Sequence, residues 1–231
     1  MLWTLEAVRA NIRNREGKRV FFLSKGDQLT SDARDYLNHA RIEIRPADTA
    51  KIETYYLPGG GMLTEKPEHM THLHGDVLVP KTHHRIAFRG AMDTLEAELL
   101  LAQQAAPKWE RELEDVLTLA RNLIRWEVME EPVEESLLCG MTVDEIRHRS
   151  HFPQKYYNQP HFMPCVGDGA ALLQINRARC AARQAELAAT AAFLDREGLV
   201  RRTDILQTLN RMSSLLYILM ICQKAGRKLR E

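Results

Sequence analysis

The sequence predicts a mainly α protein: a helical bundle of about five helices behind a small N-terminal α/β appendage. Three observations carry this expectation. From Ala91 onward, apolar residues recur at helical spacing over long stretches. One stretch is crowded with alanine (Ala170, Ala171, Ala178, Ala181, Ala182, Ala185, Ala188, Ala189), and small side chains let helices approach closely. Ahead of Pro58, short β-rich runs alternate with helical ones, and the run ends in Gly59-Gly60-Gly61.

Taken in order, residues 1–14 read as an amphipathic helix, with Leu2, Leu5, Val8 and Ile12 near one face. Such a helix either packs on its own domain or docks on a partner or a shell. Gly17 ends it. Residues 19–23 (RVFFL) are β-rich and bounded by turn formers, which predicts a strand. Residues 29–40 predict a helix capped by Thr30 or Ser31, and the alternation in residues 41–45 (RIEIR) predicts a second strand. Pro58 and the three glycines predict a flexible joint. The domain reading is therefore an α/β appendage over 1–58, a linker and loop over 59–90, and the helical bundle over 91–231. Helices are expected at about 89–105, 108–129, 143–151, 168–196 and 203–225. Pro107 and Pro132 separate the early ones, and Thr142 with Glu145 makes a capping box for the third. Gly198 is expected to end the fourth, and Thr203 or Asp204 to cap the fifth.

A chain of 231 residues has room for one large domain, or one domain and a small one. With 45% hydrophobic and 27% charged residues it has an ordinary globular balance. A net charge of +1 gives no global field for nucleic acid. The longest apolar run, residues 215–222, falls far short of the roughly 20 residues a membrane span needs. Cys139, Cys165, Cys180 and Cys222 form no CxxC pair and, with no secretory signal in the sequence, read as reduced cytoplasmic thiols.

Three clusters carry candidate chemistry. Thr71, His72 and Leu73 are followed by Lys81, His83, His84, Arg85 and Arg89, ahead of Asp93 and Glu96. Positive charge gathered before a helix start suits a polyanion; a solvated basic loop has the same composition. Asn176, Arg179, Arg183 and Glu186 share one helical stripe, which is either a wet face or the lining of a cleft. Arg183 and Glu186 are also spaced to pair with each other. On the last helix, Asn210, Arg211, Ser213, Ser214 and Tyr217 interrupt an apolar surface, so they meet a ligand, water or another helix. His148 and His151 stand one turn apart, a spacing that can offer two metal ligands, but no HExxH is present and no metal ligand is assigned.

Together the clusters resemble the cobalamin adenosyltransferases, with the nearest likeness to the ethanolamine-utilisation type. The likeness runs through LTSDARDYL (29–37), THLHGDVLVPKTHHRIAFRGAMDTLEAELL (71–100), HRSHFPQKYYNQPHFMP (148–164), ARCAARQAE (178–186) and DILQTLNRMSS (204–214). The propanediol-utilisation type is a more distant match, met at Thr71, Leu73, Lys81, Arg85, Arg179, Arg183, Glu186, Asn210, Arg211 and Ser213. That type's glycine-rich phosphate loop is missing, since residues 65–70 (EKPEHM) hold no glycine. The upstream CCxxC metal motif of many ethanolamine-type enzymes is missing too, because no cysteine precedes Cys139.

The resemblance implies an ATP:cob(I)alamin adenosyltransferase of the family's helical-bundle fold, in which the cobalt attacks the 5′ carbon of ATP and triphosphate leaves. It implies Arg179, Arg183, Glu186 and Asp93 as the catalytic set, with an Asp93–Arg179 ion pair across a subunit junction. It assigns Thr71, His72, Lys81, Arg85, Asn210, Arg211 and Ser213 to nucleotide binding, with Mg²⁺ accompanying the triphosphate. Phe152, Tyr156, Tyr157 and Phe162 are the aromatics expected to face the corrinoid and displace its lower ligand, or else to plug the bundle. The implied partners are ATP, a corrinoid, and copies of the chain in a homo-oligomer, a trimer by analogy with the distant type. A cytoplasmic setting within a bacterial microcompartment is implied as well, with its shell or a cobalamin-dependent lyase as partner and no nucleic acid or membrane. A noncatalytic corrinoid or nucleotide carrier and a microcompartment structural protein are the competing readings.

Overall fold

The computed structural model describes residues 1–15, 17–47 and 54–230, so residues 48–53 of the expected appendage lie outside the described residues. The fold is mainly α, and the chain divides into two compact units, Met1–Lys81 and Thr82–Glu231.

Among the described residues the first unit carries small sheets and two helices. In order they are β1 (Leu2–Trp3), α1 (Leu5–Ala10), β2 (Arg13–Arg15), β3 (Lys18–Leu23), β4 (Gln28–Leu29), α2 (Ser31–His39), β5 (Glu43–Pro46), β6 (Tyr55–Tyr56), β7 (Met62–Leu63), β8 (Met70–His74) and β9 (Val77–Pro80). The strands predicted at 19–23 and 41–45 are β3 and β5, which pair in parallel, Val20 opposite Glu43. Thr30 caps α2, its hydroxyl accepting from the Ala33 amide at 3.4 Å.

The helix expected over residues 1–14 is instead β1–α1–β2. Thr4 is extended, and its hydroxyl accepts from the Ala7 amide at 3.3 Å, so the helix starts only after it. Asn11 then closes the turn by donating its side-chain amide to the Ala7 carbonyl at 2.8 Å. Residues 2–3 are drawn into a parallel pair with β4. Of the predicted apolar face, Val8 and Ile12 are buried while Leu2 is exposed.

The glycine triplet is a hairpin turn rather than an open joint. Gly60 and Gly61 have φ of 90° and 102°, a region that favours glycine, and they let β6 and β7 pair antiparallel. The stretch expected as linker and loop thus holds strands, in the sheet order β7-β6-β9-β8.

The second unit is the bundle: α3 (His84–Ala105), α4 (Glu110–Met129), α5 (Val143–His151), α6 (Pro153–Tyr157), α7 (Gly169–Phe193) and α8 (Thr203–Ala225). The five expected helices are present. The added short α6 follows a proline at its first position. The start of α3 moves back to His84 because His83 caps it, Nδ1 accepting from the Arg85 amide at 3.2 Å. The predicted capping box on α5 forms, with Glu145 accepting from the Thr142 amide at 2.8 Å. Two expected ends differ. The fourth helix, α7, stops at Phe193 because the Asp195 carboxylate accepts from the Glu197 and Leu199 amides at 3.0 and 2.8 Å, organising a turn before Gly198 is reached. No side chain caps α8, because Asp204 is turned to Arg202 and to the Val133 amide at 3.0 Å.

The core follows from the pattern. Leu95, Leu99, Leu113, Leu123, Ile175, Leu209, Leu216 and Leu219 are fully buried. On α7, Ala178, Ala182, Ala185 and Ala189 are also fully buried, which brings α3 and α8 close to its backbone. Among the described residues α8 is long and apolar enough to cross a membrane, but 61% of its apolar window is buried here, as in a core helix.

Candidate functional site in the helical bundle

The α7 and α8 stripes meet. Glu186 Oε1 accepts from the Asn210 side-chain amide at 2.9 Å, and the Asn210 side-chain oxygen accepts from Arg211 at 2.6 Å. The Arg179 guanidinium lies over the Tyr217 ring, 5.4 Å from its centroid, and also donates to the Asn176 side chain at 3.4 Å. Ser213 is buried, and both it and Ser214 donate to the Asn210 carbonyl, at 2.9 and 3.0 Å. Glu186 thus bonds Asn210, not Arg183, and the Arg183–Glu186 pairing open to the sequence is not formed. Arg183 is exposed, with no ion pair among the described residues.

Arg211 is half-buried and its Nε has no hydrogen-bond partner. Burial lowers its pKa and the charge of Arg147 lowers it further, against a smaller opposing pull from the Asp144 and Glu186 carboxylates, with which it makes no ion pair among the described residues. A desolvated guanidinium beside a second one, with only a neutral amide bonded to it, is an electrostatic setting that an anion relieves. Arg211 also lines a cleft of about 590 Å³ between α8 and the segment around 133–146.

The basic cluster before α3 is divided by the fold. Arg85 and Arg89 are committed to α4: Arg85 Nε reaches Glu127 Oε1 at 2.5 Å, and Arg89 Nε reaches Glu127 Oε2 at 2.7 Å. Arg85 also donates to Glu130 at 3.1 Å and to the Glu127 carbonyl at 2.9 Å. Glu127 is fully buried. Arg85, expected at the nucleotide, here joins α3 to α4. Asp93 is exposed on α3.

In the first unit, Thr71 lies in β8 opposite Val79. The His72 Nδ1 meets the Gly75 carbonyl at 2.9 Å across the β8–β9 turn, and Lys81 reaches Glu68 at 3.0 Å with its side chain half exposed.

The four aromatics have separate fates. Tyr157 is a core residue, 1% exposed, with its hydroxyl donating to the Leu229 carbonyl at 3.3 Å. It plugs the bundle, the second of the two roles open to these aromatics. Phe152 is 53% exposed, with its ring 4.8 Å from that of His148. Tyr156 bonds His148 through its hydroxyl at 2.7 Å and carries Arg149 and Lys155 over its ring, at 5.0 and 5.3 Å. These residues line a shallow cleft of about 660 Å³ along α5 and α6. Phe162 is half-buried and stacks on Tyr217, 6.3 Å between centroids.

Glu127 and Glu98 did not stand out in the sequence. Glu98 accepts from Arg177 and from Gln174, and the hydrogen bond from Arg177 holds its carboxyl below the usual range. A signal was present: Glu127 continues the buried stripe Leu113, Val116, Ala120, Leu123 of α4, where a carboxylate must find a cation. Among the described residues, no three His, Cys, Asp or Glu side chains gather as a metal site.

On this helical bundle the polar stripes of two long helices meet, gathering Arg179, Arg183 and Arg211 about Glu186 and Asn210, a set of cations of the kind that suits an anionic ligand. The sequence profile of the family described as cobalamin adenosyltransferase matches residues 62–223, and the chain belongs to that family. It is 33% identical over 242 residues to the corrinoid adenosyltransferase EutT of Salmonella typhimurium, covering 94% of this chain and 90% of the relative. It is 31% identical over 160 residues to the corrinoid adenosyltransferase EutT of Escherichia coli, covering 69% of this chain and 60% of the relative. These relatives carry the likeness to the ethanolamine-utilisation type. No solved structure gives a significant match.

Two outcomes test this electrostatic framework. Glu127→Ala leaves Arg85 and Arg89 without their buried carboxylate and should lower stability by about 3 kcal/mol, read by denaturant unfolding; an unchanged midpoint would overturn this. His83 has its pKa lowered, first by burial and then by Arg85, His84 and Arg89, so the neutral ring is the capping form. Its stabilisation is present above the ordinary histidine value of 6.5 and lost as pH falls through the lower folded value. His83→Asn keeps an acceptor without titrating, so its melting temperature relative to the wild type should rise as pH falls from about 7 to about 5.

Proposed function

We propose that the chain transfers the 5′-deoxyadenosyl group of ATP to the cobalt of cob(I)alamin, in the groove between α7 and α8. The cobalt supplies the electron pair for the new Co–C bond, the C5′–O bond breaks, and triphosphate leaves with the pair of that broken bond. No protein nucleophile is needed. The chain's work is to hold the ribose in line with the cobalt and to stabilise charge gathering on the triphosphate. The single observation that carries this reading is the pair of cations flanking the Glu186–Asn210 bridge: Arg183 on α7 is exposed and unpaired among the described residues, and Arg211, bonded to the same Asn210 from the α8 side, is desolvated with an orphan Nε.

In this reading Arg183 and Arg211 face the triphosphate, Arg179 stands beside them, and Asn210 and Ser213 set the shape of the α8 side. Magnesium fits as a companion of the triphosphate: Glu186 uses Oε1 for Asn210, which leaves Oε2 as a hard oxygen ligand of the kind Mg²⁺ takes. When bound, the ion would neutralise part of the phosphate charge. The family's pattern also assigns Thr71, His72 and Lys81 to nucleotide binding.

Phe152 is the aromatic proposed to displace the lower axial ligand of the corrinoid, because it alone of the four is largely exposed. The chain is further proposed to work as a homo-oligomer, a trimer, with exposed Asp93 meeting Arg179 of another copy. Its proposed setting is cobalamin-dependent ethanolamine degradation, in the cytoplasm and within a microcompartment.

Anaerobic mixing of the protein with ATP, Mg²⁺ and chemically reduced cob(I)alamin should give light-sensitive adenosylcobalamin. Arg183→Ala and Asn210→Ala should each reduce kcat/KM for ATP by about 100-fold. Tight corrinoid binding without product would instead mark a carrier. Phe152→Ala should slow turnover that starts from cob(II)alamin and a reductant, while leaving turnover from preformed cob(I)alamin nearly unchanged. Equal losses in both assays would take Phe152 out of the reduction step.

A further inference from the structure

The two contacts that join the α7 and α8 stripes share one register. Seven residues separate Arg179 from Glu186 on α7, and seven separate Asn210 from Tyr217 on α8. Glu186 meets Asn210 and Arg179 meets Tyr217, so the helices run antiparallel with a bridge at each end of a segment two turns long, about 10 Å. Arg183 stands between the bridges, level with Ser213 and Ser214, and is paired with no carboxylate among the described residues. The Glu186–Asn210 end belongs to residues already assigned. The other end rests on an aromatic ring to which no role has been given.

Tyr217 is itself held from the side away from α7. Its hydroxyl and His161 Nδ1 are 2.9 Å apart, and the two rings are stacked, 6° from parallel. The other nitrogen of His161 lies 3.3 Å from the His151 carbonyl at the end of α5. Only Nε2–H can donate to that carbonyl, so in the neutral ring Nδ1 accepts and the Tyr217 hydroxyl donates. Phe162 stacks on Tyr217 as well, and Lys224 lies over the Phe162 ring at 4.6 Å while reaching Asp168 at 2.5 Å. The segment around 161–168 is thereby strapped onto α8, and His161 and Phe162 together hold the Tyr217 ring. A ring so held offers its remaining π surface to one cation.

We infer that Tyr217 is a positioning residue, whose strapped ring holds the Arg179 guanidinium in place beside Arg183 at the triphosphate end of the groove. The inference rests on the α7/α8 groove being the nucleotide site. It explains why an aromatic sits in an otherwise hydrogen-bonding stripe. A ring face orients the cation from one side, while its N–H donors beyond the one given to Asn176 remain for Asp93 of another copy or for a ligand.

The test uses the full chain with Tyr217→Leu, Tyr217→Phe, Arg179→Ala and the Arg179→Ala/Tyr217→Leu double variant. Kinetics for ATP are read with preformed cob(I)alamin, and the arginine side-chain Nε–Hε resonances by NMR. Tyr217→Leu should lower kcat/KM for ATP by about tenfold, and Tyr217→Phe should restore most of that loss, because the ring and not the hydroxyl faces Arg179. The double variant should be no worse than Arg179→Ala alone. The Arg179 Hε resonance should be ring-current shifted in the wild type and in Tyr217→Phe, and lose that shift in Tyr217→Leu. Losses that add in the double variant, with Arg179→Ala impaired, overturn the positioning role and leave the site reading standing. Full activity in Arg179→Ala overturns both. Should Tyr217→Leu fail to fold, an unshifted Arg179 resonance in the wild type overturns the inference, and a shifted one retained in Tyr217→Phe supports it.

Discussion

The close approach of α7 to its neighbours is the constraint on which the bundle depends. Fully buried Ala178, Ala182, Ala185 and Ala189 place almost no volume between the α7 backbone and the helices it packs against. Larger residues there would push α8 outward and lengthen every contact across the groove. Because the gap is narrow, short side chains such as Asn210 and Glu186 can touch directly, and the register they set carries Arg179 to Tyr217. The polar stripe of α8 and the arginine stripe of α7 thus become one site through packing of small apolar residues elsewhere on the same helix.

The arginines of this chain divide into two kinds, and the division is electrostatic. Arg85 and Arg89 surround a fully buried carboxylate, and Arg177 holds Glu98, so their charge is spent on joining α3 to α4 and to α7. Arg183 and Arg211 lack such partners among the described residues, and Arg179 rests on a ring in place of a carboxylate. Locked pairs tie the helices together; unlocked cations hold the residual positive potential that a triphosphate would meet. Arg85 and Arg89, only four residues apart in a basic segment, both turn to the buried carboxylate opposite them.

Much of the second unit was legible in the sequence. Five helices fall close to their expected positions because each carries a 3.6-residue apolar period, bounded in the first three by proline or a capping box. The three polar clusters and their family likeness were legible too, since residue type and spacing are local properties. The first fourteen residues and the glycine triplet were not, for a common reason. Thr4 breaks an apparently continuous amphipathic pattern only because residues 2–3 find a strand partner at 28–29, and Gly60 makes a hairpin only because residues 55–56 and 62–63 pair. Those partners are distant in sequence, and a short strand has no period strong enough to announce itself.

The sequence by itself determined the class of fold, the helices that carry the arginines, and the family to which they belong. All of these rest on local periodicity and on residue types at fixed spacing. Only the tertiary structure decided what each charged or aromatic side chain does. It committed Arg85 to Glu127 and turned Glu186 to Asn210 instead of to its helical neighbour Arg183. It also sank Tyr157 into the core while leaving Phe152 exposed, and set Tyr217 beneath Arg179. The reason is that the partner of a charge or a ring is the nearest group in space. For helices packed side by side, that group lies dozens of residues away along the chain.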